Sequence, residues 1–341
     1  MNPASTTRAN NDIGAAQDTG LRLMQGELET PLELARRAAP RARRGHNNWE
    51  EQPLLAERFA KTALLTLVVL AVLFPMWSVV VTSLASRTTI NHVGGMVVIP
   101  REIDLSAYVT MFYGGQVSRA LWTSMLITVA GTALSLFLTV LAAYGLSRPG
   151  SLGHRFLLIY FLLTFLVYPG LVPSYLIVTG LGLKDSLWAL IVPGALSVFN
   201  LMIVRTFFMS IPSELIDSAR MDGASEWRIL WSIVLPLSKA VVAVVGLFYA
   251  VGYWNAYFNA VLYIDDNDLW PIQRVLQSFI LAGQSPHVAG VPINLPGLTA
   301  YPPTLAIKMA VVVVTVLPAL LVYPFVQRHF TKGVLLGAVK G

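Results

Sequence analysis

The chain has 341 residues, of which 55% are hydrophobic and only 12% charged, with a formal net charge of +6. Soluble proteins carry about 25% charged residues, so this composition excludes an ordinary water-soluble domain and reads as an all-α, polytopic membrane protein. The absence of cysteine excludes disulfides and thiolate metal sites. The basic balance does not argue for nucleic acid, because Lys and Arg gather on the cytoplasmic loops of membrane proteins for topological reasons.

Residues 1–57 are polar, include "RRAAPRARRGHNN", and lack the compact apolar core and small-residue cleavage site of a signal peptide. They read as a disordered cytoplasmic tail beside anionic lipid, with docking of a partner as the alternative. A helix needs about 20 mainly apolar residues to cross the hydrocarbon layer. Six segments of the remaining 58–341 qualify: 62–84, 120–147, 156–180, 186–208, 240–263 and 305–327. With the N-terminus in the cytoplasm, 18 of the 24 Lys and Arg residues lie inside, and only Arg87, Arg101, Arg119, Lys184, Arg274 and Lys308 lie outside, as the positive-inside bias requires. Both termini are then expected in the cytoplasm of a multi-pass cell-membrane protein.

The six spans hold no Asp, Glu or His, groups that carriers driven by ion gradients keep despite the cost of burial. The chain has no Gly-Lys dipeptide and so no P-loop, and it has neither a G-x-S-x-G elbow nor an H-E-x-x-H helix. No catalytic residue, cofactor or metal site is predicted. Energy for uphill movement has to come from another polypeptide.

Between spans four and five lies a charged cytoplasmic loop, 211–237. Pro212 and Ser213 suit a helix start and Gly223 a helix end, which predicts two short helices with a sharp turn at Asp222, Gly223 and Ala224. Leu215, Ile216 and Ala219 share one side of the first helix. Trp227, Leu230, Trp231 and Val234 form an i, i+3, i+4, i+7 stripe on the second, leaving Asp217, Arg220, Glu226 and Arg228 outside the stripes. Such an element rests its apolar side on the bundle and offers a charged knob to a soluble partner; an interfacial linker is the plainer reading.

The fifth span carries Tyr253, Trp254, Asn255, Tyr257, Phe258 and Asn259. Asn255 and Asn259 are i, i+4 neighbours on one helical face, with Tyr253 and Tyr257 beside it. Aromatic faces next to amides suit a sugar, whose C–H faces stack while its hydroxyls bond, and Tyr253, Asn255, Tyr257 and Asn259 are the candidate substrate path. An interfacial aromatic belt would use the same residue types. An outer segment, 264–303, follows; it is rich in Pro and Gly and contains a short helix in "PIQRVLQSFIL". Loops of this length tend to be functional.

"DSARMDGASEWRILWSIVLP" resembles the EAA loop of type I ABC-importer permeases, whose pattern is E-A-A-x-x-x-G followed by I-x-L-P. Asp217, Ser218 and Ala219 take the E-A-A positions, two of them departing from the pattern, Gly223 takes the glycine, and Ile233 to Pro236 the ending. "FYAVGYWNAYFNAVLYI" and "YPFVQRHFTKGVLLGAVKG" are similar to carbohydrate permeases of the maltose-transporter class, above all those serving fragments of pectin, alginate and related polysaccharides. The resemblance begins near residue 58; the tail before it is long for that family, which makes Met24 a candidate start.

The resemblance implies a six-helix importer transmembrane domain that supplies half of a translocation pathway. It implies a second permease chain in a heterodimer, a cytoplasmic ATPase dimer that holds ATP and Mg, and an extracytoplasmic solute-binding protein reached by the outer loop. Asp217, Ser218, Ala219, Asp222, Gly223, Ala224 and Pro236 would couple the permease to that ATPase. The expected cargo is an acidic oligosaccharide, with neutral sugars as the alternative; a self-sufficient carrier and a membrane scaffold are the readings from other classes.

Overall fold

The computed structural model describes residues 55–338 apart from 114, 149, 151, 152, 168 and 281–302. Most of the basic tail, the Pro- and Gly-rich part of 264–303 and the last three residues therefore lie outside the described residues. Contacts divide the chain into Met1–Leu70, whose described part is the opening of one helix, and Ala71–Gly341, which holds everything that follows.

Helix α1 spans Leu55–Ser83 and runs through Pro75 without stopping, as membrane helices allow. Two short helices, α2 (Arg87–Val93) and α3 (Ser106–Tyr113), lead to α4, Gln116–Ser147. Helices α5 (His154–Leu166) and α6 (Leu171–Gly180) follow, then α7 (Trp188–Ile191), a 3₁₀ turn to Gly194, and α8 (Val198–Met209). The charged loop forms α9 (Ser213–Met221), α10 (Glu226–Ile229), a π-helical segment Leu230–Val234 and α11 (Leu235–Leu237). After an 85° bend come α12 (Lys239–Trp254), α13 (Tyr257–Tyr263), α14 (Ile272–Ile280) and α15 (Thr304–Ala338).

All the described regular structure is helical, as expected, but the six spans are not six rods. Among the described residues, three helices are long and apolar enough to cross a membrane, and six crossings result only if bent pairs are counted as single spans. The third expected span is divided between α5 and α6. The fourth bends by 49° between Trp188–Gly194 and α8: Pro193 withholds a backbone donor, and Ser197 restarts the helix by accepting the Asn200 N–H at 3.4 Å. The fifth stops at Trp254. Asn255 spends its side-chain amide on the Val251 carbonyl at 2.9 Å, a local bond that competes with helix continuation. Tyr257 N–H then donates to Asn255 O at 2.7 Å across Ala256 at φ −71°, ψ 55°, an inverse γ-turn.

Within the second unit, α4 and α12 form the most extensive helix pair and α8 lies against α4. Ile127, Ala143, Leu146, Leu201, Val204, Val245 and Tyr249 are buried together there. A second cluster joins the end of α1 to α3, α14 and the start of α15 through Val81, Met111, Val117, Ile272, Val275, Ile307 and Val311. Ser124 on α4 accepts the Ile272 N–H at 2.8 Å and so anchors α14. The turn before α7 is tied to the end of α13 by Asp185, which accepts the N–H groups of Asp265 and Asp266; these two bonds hold its carboxyl below the usual range.

Candidate functional site

The charged loop takes the predicted form. Helix α9 ends with Gly223 at φ +77°; Ala224 N–H reaches back to Ala219 O at 3.0 Å and Gly223 N–H to Arg220 O at 2.9 Å, the paired bonds of a Schellman motif. Nothing lies within 4 Å of where a Gly223 Cβ would point, so conformation and not space demands the glycine. Ser225 then caps α10 by accepting Arg228 N–H at 3.4 Å. Ile216 is buried as expected, but Leu215 is exposed.

The second stripe differs from the helical expectation. Ile229, Leu230 and Val234 are buried, whereas Trp227 and Trp231 stand 59% and 54% exposed. The π segment has i→i+5 spacing, which brings Ile229 and Val234 to one buried face and leaves Trp231 outside it. The buried residues join the cluster of Ala143, Leu146 and Phe208 at the ends of α4 and α8, so the loop rests on the bundle. Its outer surface carries Leu215, Asp217, Ser218, Asp222 and Met221, the last 90% exposed.

A polar cluster crosses from loop to bundle. Tyr144, near the end of α4, donates to Glu226 Oε2 at 2.5 Å. Arg220 Nη2 and Nε donate to Glu226 Oε1 at 2.8 and 3.1 Å, and Arg220 also lies 3.6 Å from Asp217. Arg148 reaches the Tyr144 hydroxyl at 3.3 Å and covers its ring at 4.8 Å. The Tyr144 hydrogen bond, and after it, against partial burial, the Arg220 contact, hold the Glu226 carboxyl below its usual range.

Farther along α4, Ser135 and Thr139 bond the hydroxyls of Tyr253 and Tyr249 at 2.8 and 2.7 Å. Tyr253 also donates to Ile191 O at 3.1 Å, and Tyr249 accepts Ser197 N–H at 3.0 Å. These two rings form one wall of a cavity of about 420 Å³ lined also by Ser197, Asn200, Phe248, Asn255, Phe258 and Asn259, within the roughly 300–1,000 Å³ of ligand pockets.

Of the predicted path residues, Tyr253, Asn255 and Asn259 line the cavity and Tyr257 does not. Asn255 and Asn259 do not share the face of one helix, since the γ-turn separates them; they meet at the cavity because the chain breaks. The Tyr253 hydroxyl is committed to protein partners, so only its ring is available to a ligand. Sequence reasoning missed Ser197, Asn200, Phe248, Tyr249 and Phe258. Asn200 is only 5% exposed, and among the described residues its side-chain amide has no partner in the chain. A lone Asn in "SVFNLMIV" was the available signal, but no second amide stands three or four residues from it to mark a polar face.

Residues 135–335, from the middle of α4 into α15, match the family described as the binding-protein-dependent transport system inner membrane component. The chain belongs to this family. The permease is 45% identical over 259 residues to the polygalacturonan/rhamnogalacturonan transport system permease protein YtcP of Bacillus subtilis (strain 168), covering 75% of this chain and 90% of that protein. It is 44% identical over 244 residues to protein LplC of the same organism, covering 72% and 81%.

A solved bacterial ABC transporter involved in the import of the acidic polysaccharide alginate superposes with a TM-score of 0.72 at 28% identity, over 80% of this permease and 95% of that chain. The protein is thus a membrane transport subunit and not an enzyme, an inner-membrane permease with the type I ABC-importer fold. Family membership implies an ATPase and a solute-binding protein as partners.

Proposed function

We propose that this permease supplies half of the translocation pathway for an acidic oligosaccharide of the pectin or alginate type. The observation that carries the reading is the 45% identity spanning 90% of a polygalacturonan/rhamnogalacturonan permease, supported by the alginate importer fold. The cavity suits such a cargo: Asn200 and Asn259 offer amides, Asn255 keeps only what Val251 and Gln273 leave of its own, and Phe248, Tyr249, Tyr253 and Phe258 offer ring faces. Its lining contains no Lys or Arg. That observation favours a second reading, neutral oligosaccharides, unless a second permease chain reads the carboxylates.

That second chain completes a heterodimer in this proposal. An ATPase dimer carrying ATP and Mg docks on the loop surface of Asp217, Ser218, Ala219, Asp222, Gly223 and Ala224, with Pro236 stiffening the return to α12. Both termini then face the cytoplasm, and 264–303 faces the external binding protein. The test is to purify the tagged permease in mild detergent, identify co-purifying chains, and reconstitute the assembly with its binding protein for uptake of labelled oligogalacturonides against neutral oligosaccharides. Recovery of an ATPase and a second permease with ATP-dependent oligogalacturonide uptake is expected. Uptake by this chain alone would overturn the reading, and uptake restricted to neutral sugars would establish the second one.

A further inference from the structure

We infer that the Tyr144–Glu226 hydrogen bond is the joint through which movement of the cytoplasmic loop reaches the cavity wall, making both side chains positioning residues for transport. The inference rests on the coupling role proposed for the loop. Three observations point to it.

The first is direction. The loop's buried contacts with the bundle, Ile216, Ile229, Leu230 and Val234, are apolar and non-directional, so they hold the loop without fixing its angle. Among the described residues, no other side-chain hydrogen bond joins 211–237 to a spanning helix. Glu226 is also where both halves of the loop meet, since Arg220 of α9 bonds the carboxylate that α10 presents to Tyr144. Arg148, the residue just past the end of α4, donates to the Tyr144 oxygen, so the hydroxyl's own proton is left for Glu226.

The second is stiffness. Helix α4 is continuous over 32 residues with no proline inside it. The same helix holds Thr139 to Tyr249 and Ser135 to Tyr253, the rings that wall the cavity. Nine residues separate Ser135 from Tyr144, about 14 Å along the axis, so a tilt imposed at one end is delivered at the other.

The third is the contrast with the covalent route. From α10 to α12 the chain passes through the π segment, Pro236 and an 85° bend, features that absorb displacement. Motion carried that way is damped before it reaches Tyr249. Helix α4, which the loop reaches through apolar packing and this one side-chain bond, is the stiffer connection.

The test uses the assembled transporter, purified through a tag on this chain and placed in lipid nanodiscs. The chain has no native cysteine, so Asn259→Cys gives a single thiol in the cavity, whose maleimide labelling rate is measured with and without ATP plus vanadate. In the parent the trapped nucleotide changes the rate. Tyr144→Phe and Glu226→Ala each shrink that change about tenfold, the factor a charge-assisted hydrogen bond carries, while the amount of ATPase recovered stays at the parent level. Glu226→Gln, which still accepts from Tyr144, restores most of the response. The double variant Tyr144→Phe with Glu226→Ala is no worse than either single one.

A full response in Tyr144→Phe, or additive losses in the double variant, overturns the inference. Loss of ATPase from the Tyr144→Phe preparation assigns the contact to assembly and overturns it too. A parent whose labelling ignores nucleotide overturns the coupling role of the loop itself, an outcome visible before any Tyr144 variant is made.

Discussion

A methyl group placed on Gly131 would lie 2.8 Å from the Tyr253 ring, and Tyr253 cannot retreat without surrendering its bonds to Ser135 and Ile191. Gly131→Ala is therefore expected to force the ring out of the cavity wall at a cost of about 1–3 kcal/mol. A thermal melt in detergent should show a lowered Tm, and an unchanged melt would mean that the ring has room to move. Glu226 makes a second prediction at this scale. Its folded pKa is depressed, so its contribution to anchoring the loop is present above the ordinary value of 4.5 and is lost as pH falls through the depressed one. Protease nicking of the loop should differ between wild type and Glu226→Gln at neutral pH and converge in acid; Tyr144, Arg148, Arg220 and Asp217 are the charged or titratable groups around it.

The loop turn depends on one backbone conformation. The Cβ of Gly223→Leu meets nothing within 4 Å, but the residue must hold a left-handed backbone at a cost of about 1–2 kcal/mol, which the Schellman bonds from Gly223 and Ala224 do not survive unchanged. The bundle should assemble normally while the loop loses its shape, so ATP hydrolysed per sugar imported is expected to rise. A normal ratio in that variant would remove Gly223 from the coupling device. The turn was legible in the sequence because Gly after a short amphipathic run has a local cause. The π segment was not: nothing local in Leu230–Val234 marks it, and only the folded chain shows its wider spacing bringing Ile229 and Val234 to the same buried face.

Across the whole molecule, the proposed orientation places the loop in the cytoplasm. In the cysteine-free chain, Ser225→Cys should react with impermeant thiol reagents in inside-out vesicles and remain unlabelled in intact cells. Labelling from outside would invert the topology and with it the docking surface. The candidate cavity belongs to this scale as well, because α7 and the turn after it, α8, α12 and α13 each supply part of its wall, while α4 holds the Tyr249 and Tyr253 hydroxyls.

What the sequence settled on its own follows from local or additive causes. Apolar runs long enough to cross a bilayer, the missing intramembrane acids and the spacing from Asp217 to Pro236 needed no neighbour to be read. The tertiary structure decided which spans break and which polar groups meet. Whether Asn255 continues a helix depends on its own amide competing for Val251 O, and whether Asn200 faces protein or cavity depends on helices distant in the chain. Tyr144 and Glu226 are 82 residues apart, and no periodicity within either segment encodes their meeting; only packing of the loop on the ends of α4 and α8 brings a phenol to a carboxylate.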